Sequence, residues 1–351
     1  MATRWLKRLG TKTSGFRFVD EAGRAVRDRK VLARIDAMRI PPAWKDVQVA
    51  ATTRSNVQAW GFDVRGRKQY RYHDRAVERR ELRKYYRVRQ LAKALPQIRR
   101  ALREEAAGPE LTRDVVAATV LRLISESFCR IGGERYAREN GTFGMTTLRK
   151  SHVSVEGDCV QLSYKGKSNK KQRQVIVSRE LAQLVSRQLR TPGTRVFRYR
   201  SASGGWRDLT ARDVNDYLHE RFGYKYSAKD FRTWGGTLRA ATVLAELGPA
   251  RSATEGKRNV ALAMRLVSTE LGNTPTICRA SYVHPLIIAR YLDEGETIPL
   301  SRARRRSPDL GQAHSPEERA LIAFLDRHFP ERRRKVRHGS EPSRRREQRA
   351  A

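Results

Sequence analysis

Apolar and polar residues alternate with a period of two along much of residues 1–86. The alternating runs, separated by turn residues, lie at Gly15–Val19, Val47–Ala51, Val57–Asp63 and Gln69–Tyr72. A period of two is typical of strands that bury one face and expose the other. The pattern therefore predicts a small, mostly β domain over residues 1–86.

From about Ala76 the apolar residues recur every three or four positions, which is typical of helices with one buried face. Helices are predicted over Glu78–Ala94, Leu111–Phe128, Ala211–Phe222, Ser227–Leu247, Asn259–Leu271, Ser281–Leu292 and Ser315–Phe329. The period returns to two between Ser151 and Ser178, where the basic turn Lys165-Gly-Lys-Ser-Asn169 joins the second and third of three alternating runs. We expect a mainly helical second domain, residues 87–300, that carries a small three-stranded sheet.

The end of the chain has a different composition. Residues 301–351 are rich in arginine, and almost no apolar residue occurs beyond Arg332. Such a segment cannot bury enough apolar surface to fold by itself. We expect a basic, partly disordered tail with one short helix, and a chain of the α+β class overall.

The charge of the chain indicates the chemistry of its partner. The 351 residues include 74 Lys and Arg but only 37 Asp and Glu, a net charge of +37. Such a surplus is tolerable when the partner is a polyanion, which favours nucleic acid first and an anionic membrane second. No apolar run approaches the roughly 18–20 residues that a membrane-spanning helix needs, so the membrane alternative is weak.

The cysteines and the N-terminus predict the compartment. The cysteines are odd in number and widely spaced, at Cys129, Cys159 and Cys278. This spacing predicts neither a disulfide framework nor a paired metal site. Met1–Gly10 also lacks the apolar stretch of a signal peptide. We therefore expect a cytoplasmic protein.

Four motifs supply what is needed to break and remake a phosphodiester without a metal ion. That chemistry requires a nucleophile that stores the phosphoryl group, fixed cations for the phosphate oxygens, and an acid for the departing oxygen. Tyrosine, arginine and lysine suit these three roles. The motifs are Arg130-Ile-Gly-Gly-Glu-Arg-Tyr136, the turn that contains Lys167, Lys229-Asp-Phe-Arg232-Thr-Trp, and the segment Leu271–Tyr282.

At these four places the chain resembles the type IB DNA topoisomerases, in particular their bacterial and poxvirus-type branch. The resemblance runs from about Ile40 to Leu292. It implies that Tyr282 is the nucleophile, that Arg130 and Arg232 bind the phosphate, and that Lys167 is the general acid. Lys165, in the same turn, is the rival for that last role.

One position departs from many members of this family. Asn273 stands where they have a histidine. An amide can donate a hydrogen bond to a phosphate oxygen but supplies neither a charge nor a proton. We therefore expect a positioning role for Asn273, and somewhat weaker stabilisation of the transition state than a histidine would give.

The resemblance also implies DNA contacts in both domains. The run Gly66-Arg-Lys-Gln-Tyr-Arg-Tyr-His73 resembles the strand that faces the major groove in this family. The expected contacts are Arg67, Gln69, Tyr70 and Tyr72 in the first domain and Tyr136 in the second. The two domains would clamp duplex DNA, and binding would weaken steeply with salt.

The resemblance implies relaxation of positive and negative supercoils through a 3′-phosphotyrosyl link. The enzyme would act as a monomer in the bacterial nucleoid, with no cofactor, ATP or metal ion. Gly166-Lys-Ser168 has the end of a nucleotide-binding P-loop, but Gln161 replaces the required upstream glycine. The 7 histidines lack the paired spacing of metal ligands.

Two other functions remain open. A tyrosine recombinase uses the same nucleophile, but it usually has His-x-x-Arg where this chain has Lys229-x-x-Arg232, and its N-terminal domain is helical. A DNA-compacting protein that has lost catalysis would share the composition. Such a protein would have no reason to keep all four motifs.

Overall fold

The computed structural model describes residues 3–223, 226–300 and 313–328. Contacts between residues divide the chain into two units, Met1–Tyr85 and Tyr86–Ala351. Apart from one helix, the predicted basic tail over residues 301–351 lies outside the described residues.

The first unit contains an antiparallel sheet. Its strands are β1 Trp5–Thr11, β2 Gly15–Val19, β3 Lys45–Ala50, β4 Val57–Phe62 and β5 Lys68–Tyr72. The strand order is β2-β1-β3-β4-β5. Helix α1 (Arg29–Ala37) starts at Asp28, whose carboxylate accepts hydrogen bonds from two backbone N–H groups of the first turn. Ile35 of α1 shares a small hydrophobic core with Leu6 and Val49 of the sheet.

The predicted mostly β character of this unit is confirmed, but the sequence pattern does not predict β1 or α1. Only Leu6 in β1 and Ile35 in α1 are fully buried. Strand β1 therefore shows no alternating apolar pattern, and the apolar repeat of α1 (Val31, Ile35, Met38) spans only about two turns. Strand β1 forms because strand pairing supplies what its local sequence lacks, and α1 forms because its apolar face packs against the sheet.

Helix α2 (Asp74–Ala106) is longer than the predicted helix, Glu78–Ala94. Pro96 lies inside it, although proline removes one hydrogen bond and normally ends a helix. Ile98 and Leu102, beyond the proline, are buried in the core of the second unit. Their packing outweighs the local cost of the proline.

The second unit is mainly helical. Its further helices are α3 Arg113–Ser127, α4 Glu134–Asn140, α5 Arg179–Leu189, α6 Ala211–Phe222, α7 Ala228–Leu247, α8 Ala253–Leu271, α9 Pro275–Ser281, α10 Pro285–Glu294 and α11 Pro316–His328. Helix α3 is apolar on most of its circumference, and Val120, Leu121 and Ile124 are fully buried. A helix of this kind belongs in a core, and α3 packs against α5, α6 and α7.

The predicted three-stranded sheet of this unit is confirmed. It consists of β6 Val153–Glu156, β7 Cys159–Lys165 and β8 Lys171–Val177, antiparallel and in that order. A separate hairpin, β9 Arg198–Arg200 with β10 Trp206–Asp208, was not predicted, nor was α5. Strands of three residues are too short for a period of two to be visible in the sequence. Among the described residues, no helix combines the length and apolar character needed to cross a membrane.

Candidate active site

Arg130 lies just beyond the central helix. Helix α3 ends at Ser127, and Phe128 adopts a left-handed conformation (φ 51°, ψ 24°) that turns the chain out of the helix. The Arg130 carbonyl accepts a hydrogen bond of 2.8 Å from the N–H of Met145. Gly144 packs so closely that a Cβ there would lie 2.6 Å from the Arg130 carbonyl oxygen. The backbone that carries Arg130 is thus fixed on both sides.

Arg232 lies in the first turns of α7 and is only 3% exposed. Its Nη1 donates a hydrogen bond to the Phe128 carbonyl, and its Nη2 donates to the Leu271 carbonyl at 2.9 Å. Its Nε is buried and has no hydrogen-bond partner among the described residues. A buried guanidinium donor without an acceptor is costly, so this environment suits an anionic ligand.

Asn273 follows the end of α8 and is 8% exposed. The Arg130 guanidinium makes two hydrogen bonds to this segment. Its Nη1 donates to the Gly272 carbonyl at 3.2 Å, and its Nη2 donates to the Asn273 side-chain oxygen. The amide nitrogen Nδ2 is buried without a hydrogen-bond partner in the described part of the chain. Burial raises the pKa of the Cys278 thiol, and the nearby Asn273 amide offsets part of that rise. A thiol is only a weak acceptor, so the amide keeps donor capacity.

Tyr282 occupies the break between α9 and α10. The prediction of one continuous helix over Ser281–Leu292 was therefore wrong at its start. Pro285 opens α10, and the residue before a proline is disfavoured in helical conformation. His284 caps the new helix, since its Nδ1 accepts a hydrogen bond of 3.2 Å from the N–H of Leu286. The break leaves Tyr282 at the end of α9 rather than within a helix.

Helix α7 holds the backbone around Tyr282. The Thr237 hydroxyl lies 3.3 Å from the Tyr282 carbonyl oxygen and accepts a hydrogen bond of 3.1 Å from the N–H of His284. At Gly236, a Cβ would lie 2.9 Å from the same carbonyl oxygen. The helix that carries Arg232 therefore also fixes the position of the tyrosine.

The Tyr282 side chain lies beside cations. The Arg232 guanidinium carbon is 5.1 Å and the Lys229 Nζ is 5.7 Å from the centre of the Tyr282 ring. Burial by itself would raise the pKa of the Tyr282 hydroxyl. The positive charges of Arg232, Arg130 and Lys229 outweigh burial and hold this pKa below its usual value of 10. A lower pKa makes the tyrosinate, which is the nucleophilic form, more accessible.

A cleft of about 320 Å³ in the second unit brings the predicted catalytic side chains together. Its lining includes Arg130, Lys167, Arg232 and Tyr282, together with Lys229 and Tyr136. Asn273 is not part of the lining, but its side-chain oxygen accepts a hydrogen bond from Arg130, which does line the cleft. Lys165 does not line the cleft either, and its side chain lies on the exposed face of β7.

The predicted DNA contacts of the first unit lie on or beside the edge strand β5. Arg67 and Gln69 both donate to the Asp63 carboxylate, at 2.8 and 3.0 Å. The hydrogen bond from Arg67 lowers the pKa of Asp63 to about 2. Tyr70 and Tyr72 lie on the face opposite to Gln69, with ring centres 5.8 Å apart. The structure thus separates the predicted set into two groups, and Tyr70 is 43% exposed.

Two lysines close to the site were not assigned a role from the sequence. Lys229 lies three positions before Arg232 on the same face of α7, a spacing that could have indicated it. Lys170 donates a hydrogen bond of 3.0 Å to the Asn273 carbonyl. No local signal could have indicated this contact, because the two residues are 103 positions apart.

Two further observations concern possible ligands. A larger groove of about 1090 Å³ lies near the start of α3 and the β9–β10 hairpin, and it contains none of the predicted site residues. Within residues 3–223, 226–300 and 313–328, no group of three or more His, Cys, Asp or Glu side chains is placed to hold a metal ion. The metal independence of the reaction stays a prediction.

Known protein families match both units. Residues 67–303 match the family described as eukaryotic DNA topoisomerase I, catalytic core. Residues 15–63 match the bacterial DNA topoisomerase IB, N-terminal domain. The first match alone covers more than half of the chain.

Individual proteins agree with the family match. DNA topoisomerase 1B of Acanthamoeba polyphaga mimivirus is 31% identical over 276 residues, which are 76% of this chain and 82% of that protein. DNA topoisomerase 1B of Vaccinia virus (strain Copenhagen) is 23% identical over 239 residues, 67% of this chain and 72% of that protein.

Among solved structures, the XerH site-specific recombinase in its post-cleavage complex is 16% identical with a TM-score of 0.34. The likeness covers 53% of this chain and 47% of that chain, and it is too weak to support a conclusion. The family matches and the viral relative at 31% identity are decisive. The chain therefore belongs to the type IB DNA topoisomerase family, as its motifs predicted.

Proposed function

We propose that this topoisomerase relaxes positively and negatively supercoiled DNA by cutting and rejoining one strand through Tyr282, without ATP or a metal ion. The observation that supports this best is a pair of buried donors, one on Arg232, whose guanidinium carbon is 5.1 Å from the centre of the Tyr282 ring, and one on Asn273, which binds Arg130. Arg232 Nε and Asn273 Nδ2 have no hydrogen-bond partner among the described residues. The non-bridging oxygens of a phosphodiester would satisfy both donors.

Cleavage would exchange one phosphodiester bond for another. The Tyr282 oxygen attacks the phosphorus and loses its proton to solvent, while the bond from phosphorus to the 5′-oxygen breaks. Arg130, Arg232 and Asn273 bind the non-bridging oxygens, and Lys167 gives a proton to the departing 5′-oxygen. The product is a 3′-phosphotyrosyl link and a free 5′-hydroxyl.

Rejoining would reverse these steps. The 5′-hydroxyl attacks the phosphorus, expels Tyr282 and returns its proton to Lys167. Because the two ester bonds are of the same kind, the enzyme needs no external source of energy. Between the two steps the free end rotates about the intact strand, and torsion in the DNA drives the rotation.

Lys167 is preferred to Lys165 as the acid on positional grounds. Lys167 lines the cleft together with Tyr282, whereas Lys165 does not. A general acid must come within hydrogen-bond distance of the atom that it protonates. Lys165 would need the β7–β8 turn to rearrange before it could do so.

The proposed partner is double-stranded DNA, which a monomer of the enzyme binds in the bacterial nucleoid. The net charge of +37 supports binding to phosphates. Tyr136, 61% exposed in the cleft, and Tyr70 on β5 are available for contacts with DNA. Arg67 and Gln69 would have to exchange Asp63 for DNA, since both donate to that carboxylate.

The test is relaxation of negatively and positively supercoiled plasmid in EDTA without ATP. The unsubstituted enzyme should relax both substrates, and Tyr282→Phe should relax neither, because it lacks the nucleophilic oxygen. Gel electrophoresis of topoisomers measures the result. Denaturing gels should show DNA covalently attached to the enzyme only when Tyr282 is present.

Either of two results would contradict the proposal. Relaxation by Tyr282→Phe would show that another residue is the nucleophile. Tight, salt-sensitive DNA binding without relaxation by the unsubstituted enzyme would favour a recombinase or a DNA-compacting protein instead.

A further inference from the structure

Three cations bind three consecutive carbonyl groups at the C-terminal end of α8. The bonds join Arg232 Nη2 to the Leu271 oxygen (2.9 Å), Arg130 Nη1 to the Gly272 oxygen (3.2 Å) and Lys170 Nζ to the Asn273 oxygen (3.0 Å). The Leu271 carbonyl ends the helix, has no partner within it and carries the negative end of the helix dipole, whereas Gly272 and Asn273 follow the last helical residue. This turn therefore holds cations from three separate elements.

The carbonyls are needed because the cations repel one another. Burial lowers the pKa of Arg130, and the charge of Arg232 lowers it further. Two guanidinium groups can remain close only if fixed acceptors offset this repulsion. The end of α8 supplies such acceptors, so it organises the phosphate-binding side of the site before DNA arrives.

The β7–β8 hairpin lies along the same end of α8. Gln174 Nε2 donates a hydrogen bond of 3.1 Å to the Glu270 carbonyl. The Gln172 amide is so close to Gly272 that a Cβ on this glycine would collide with it. Together with Lys170, these contacts fasten β8 and the turn before it to α8.

The turn that contains Lys167 needs such external support. Ser168 and Asn169 adopt left-handed backbone conformations, with φ of 61° and 60°. Residues other than glycine rarely adopt this conformation, and it persists where the surrounding structure fixes it. The N–H of Gly166 donates to the Lys170 carbonyl at 2.8 Å and closes the turn. Lys170 is therefore the residue that joins the closed turn to α8.

We propose that Lys170 is a positioning residue for the general acid: by binding the Asn273 carbonyl it holds the turn so that Lys167 faces the phosphate. This inference rests on the proposed function, in which Lys167 is the acid. Lys170 binds the Asn273 carbonyl and does not line the cleft, so its proposed action is through Lys167. Its ammonium group helps to hold the site in place.

The experiment compares two leaving groups in single-turnover cleavage at saturating enzyme. The duplex carries one cleavage site, first mapped with the unsubstituted enzyme, with either oxygen or sulphur at the bridging 5′ position. A sulphur leaving group needs no acid. Lys170→Ala should slow cleavage of the oxygen substrate by about tenfold or more, yet cleave the sulphur substrate within about threefold of the unsubstituted rate.

Three variants serve as references. Lys167→Ala should be slow on oxygen and restored by sulphur, because it lacks the acid itself. Lys171→Ala removes the same charge from an exposed neighbour in the hairpin and should cleave both substrates at the unsubstituted rate. Lys170→Arg keeps a cationic donor for the Asn273 carbonyl and should recover most of the rate on oxygen.

The outcomes separate this inference from the proposed function. If Lys170→Ala cleaves the oxygen substrate at the normal rate, or is equally slow on both substrates while Lys167→Ala is restored by sulphur, only the positioning role fails. If sulphur does not restore Lys167→Ala, the assignment of Lys167 as the acid fails, and the inference fails with it.

Discussion

The two ends of the Asn273 amide differ in their hydrogen bonding. Its side-chain oxygen accepts a hydrogen bond from Arg130, and its nitrogen is a buried donor without a partner among the described residues. A protonated histidine at this position could donate to a phosphate but could not also accept from an arginine. The asparagine thus holds Arg130 and keeps a donor that could meet a phosphate in the proposed mechanism.

Comparison of Asn273→Asp with Asn273→Ala should tell these two roles apart. Aspartate keeps the acceptor for Arg130 but replaces the donor with a negative charge beside the proposed phosphate position. If the donor matters, Asn273→Ala should slow single-turnover cleavage by about 10²-fold, and Asn273→Asp should be slower still. Asn273→Gln, which keeps both ends of the amide, is the reference for altered side-chain length. If Asn273→Asp cleaves at close to the unsubstituted rate, the donor has no role in cleavage, and Asn273 acts only by binding Arg130.

Among the elements, helix α7 carries an unusual local sequence for a buried helix. Gly235 and Gly236 lie in its interior, where each glycine costs about 1 kcal/mol relative to alanine. Both allow close packing, because a Cβ on Gly235 would collide with the Phe128 ring and one on Gly236 would lie 3.0 Å from Leu271 Cδ1. The glycines lower the stability of α7, but they let α7, which carries Arg232, pack closely against Phe128, Leu271 and the Tyr282 backbone.

Gly236→Ala should therefore damage activity more than stability. The added Cβ would lie 2.9 Å from the Tyr282 carbonyl oxygen, so the backbone of the predicted nucleophile must shift, while the helix itself gains stability. We expect single-turnover cleavage to slow by about tenfold or more, and the midpoint of thermal unfolding to change little. Gly256→Ala in α8 is the matched control, since its Cβ would meet only the side chains of Leu292 and Ala250 at 3.3 and 3.5 Å. Normal cleavage by Gly236→Ala would show that the close approach has no catalytic role.

Local signals explain some of the successful predictions from the sequence, although α5, which also has a helical apolar pattern, was missed. The apolar residues of α3 and the basic turn between β7 and β8 lie in short stretches with a clear period, and both were predicted. Helix α1 has Val31, Ile35 and Met38 at helical spacing, but its nine residues show the period over only about two turns, and it was not predicted. The helix predicted over Ser281–Leu292 starts too early. The apolar spacing continues across the break after α9, whereas Pro285 makes α10 begin there.

The site residues, too, could be predicted only where a local motif marks them. The motifs predicted Arg130, Lys167, Arg232 and Tyr282 as one set, and the cleft brings them together. Their catalytic roles remain predictions. The bond from Lys170 to Asn273 could not be predicted, since it depends on how β8 packs against α8. Residues far apart in the chain acquire such roles only in the folded protein.

At the scale of the whole molecule, helix α11 lies beyond the family match, which ends at residue 303. It is nevertheless part of the core, because Glu318 is 3% exposed. Arg99 of α2 donates two hydrogen bonds to this carboxylate, at 2.9 and 2.8 Å, and Trp234 Nε1 donates a third at 3.2 Å. Trp234 lies on α7, two positions after Arg232. One carboxylate of α11 thus joins α2 to the helix that carries a predicted phosphate-binding arginine.

Glu318→Gln should lower the free energy of unfolding by about 1–3 kcal/mol at pH 7, because Arg99 loses its charged partner. Burial raises the pKa of Glu318, but the bonds and charge of Arg99 outweigh burial and hold this pKa below its usual 4.5. A depressed pKa stabilises the fold above the unfolded-state value and ceases to do so as pH falls through the folded-state value. The difference between Glu318→Gln and the unsubstituted enzyme should therefore be complete above about pH 5 and shrink in more acidic solution. Urea unfolding across this pH range measures the difference.

Glu317→Gln, the same change one residue earlier, should alter the free energy of unfolding by less than about 0.5 kcal/mol. A loss for Glu318→Gln that is the same at every pH would mean that the side chain contributes by packing rather than by its charge.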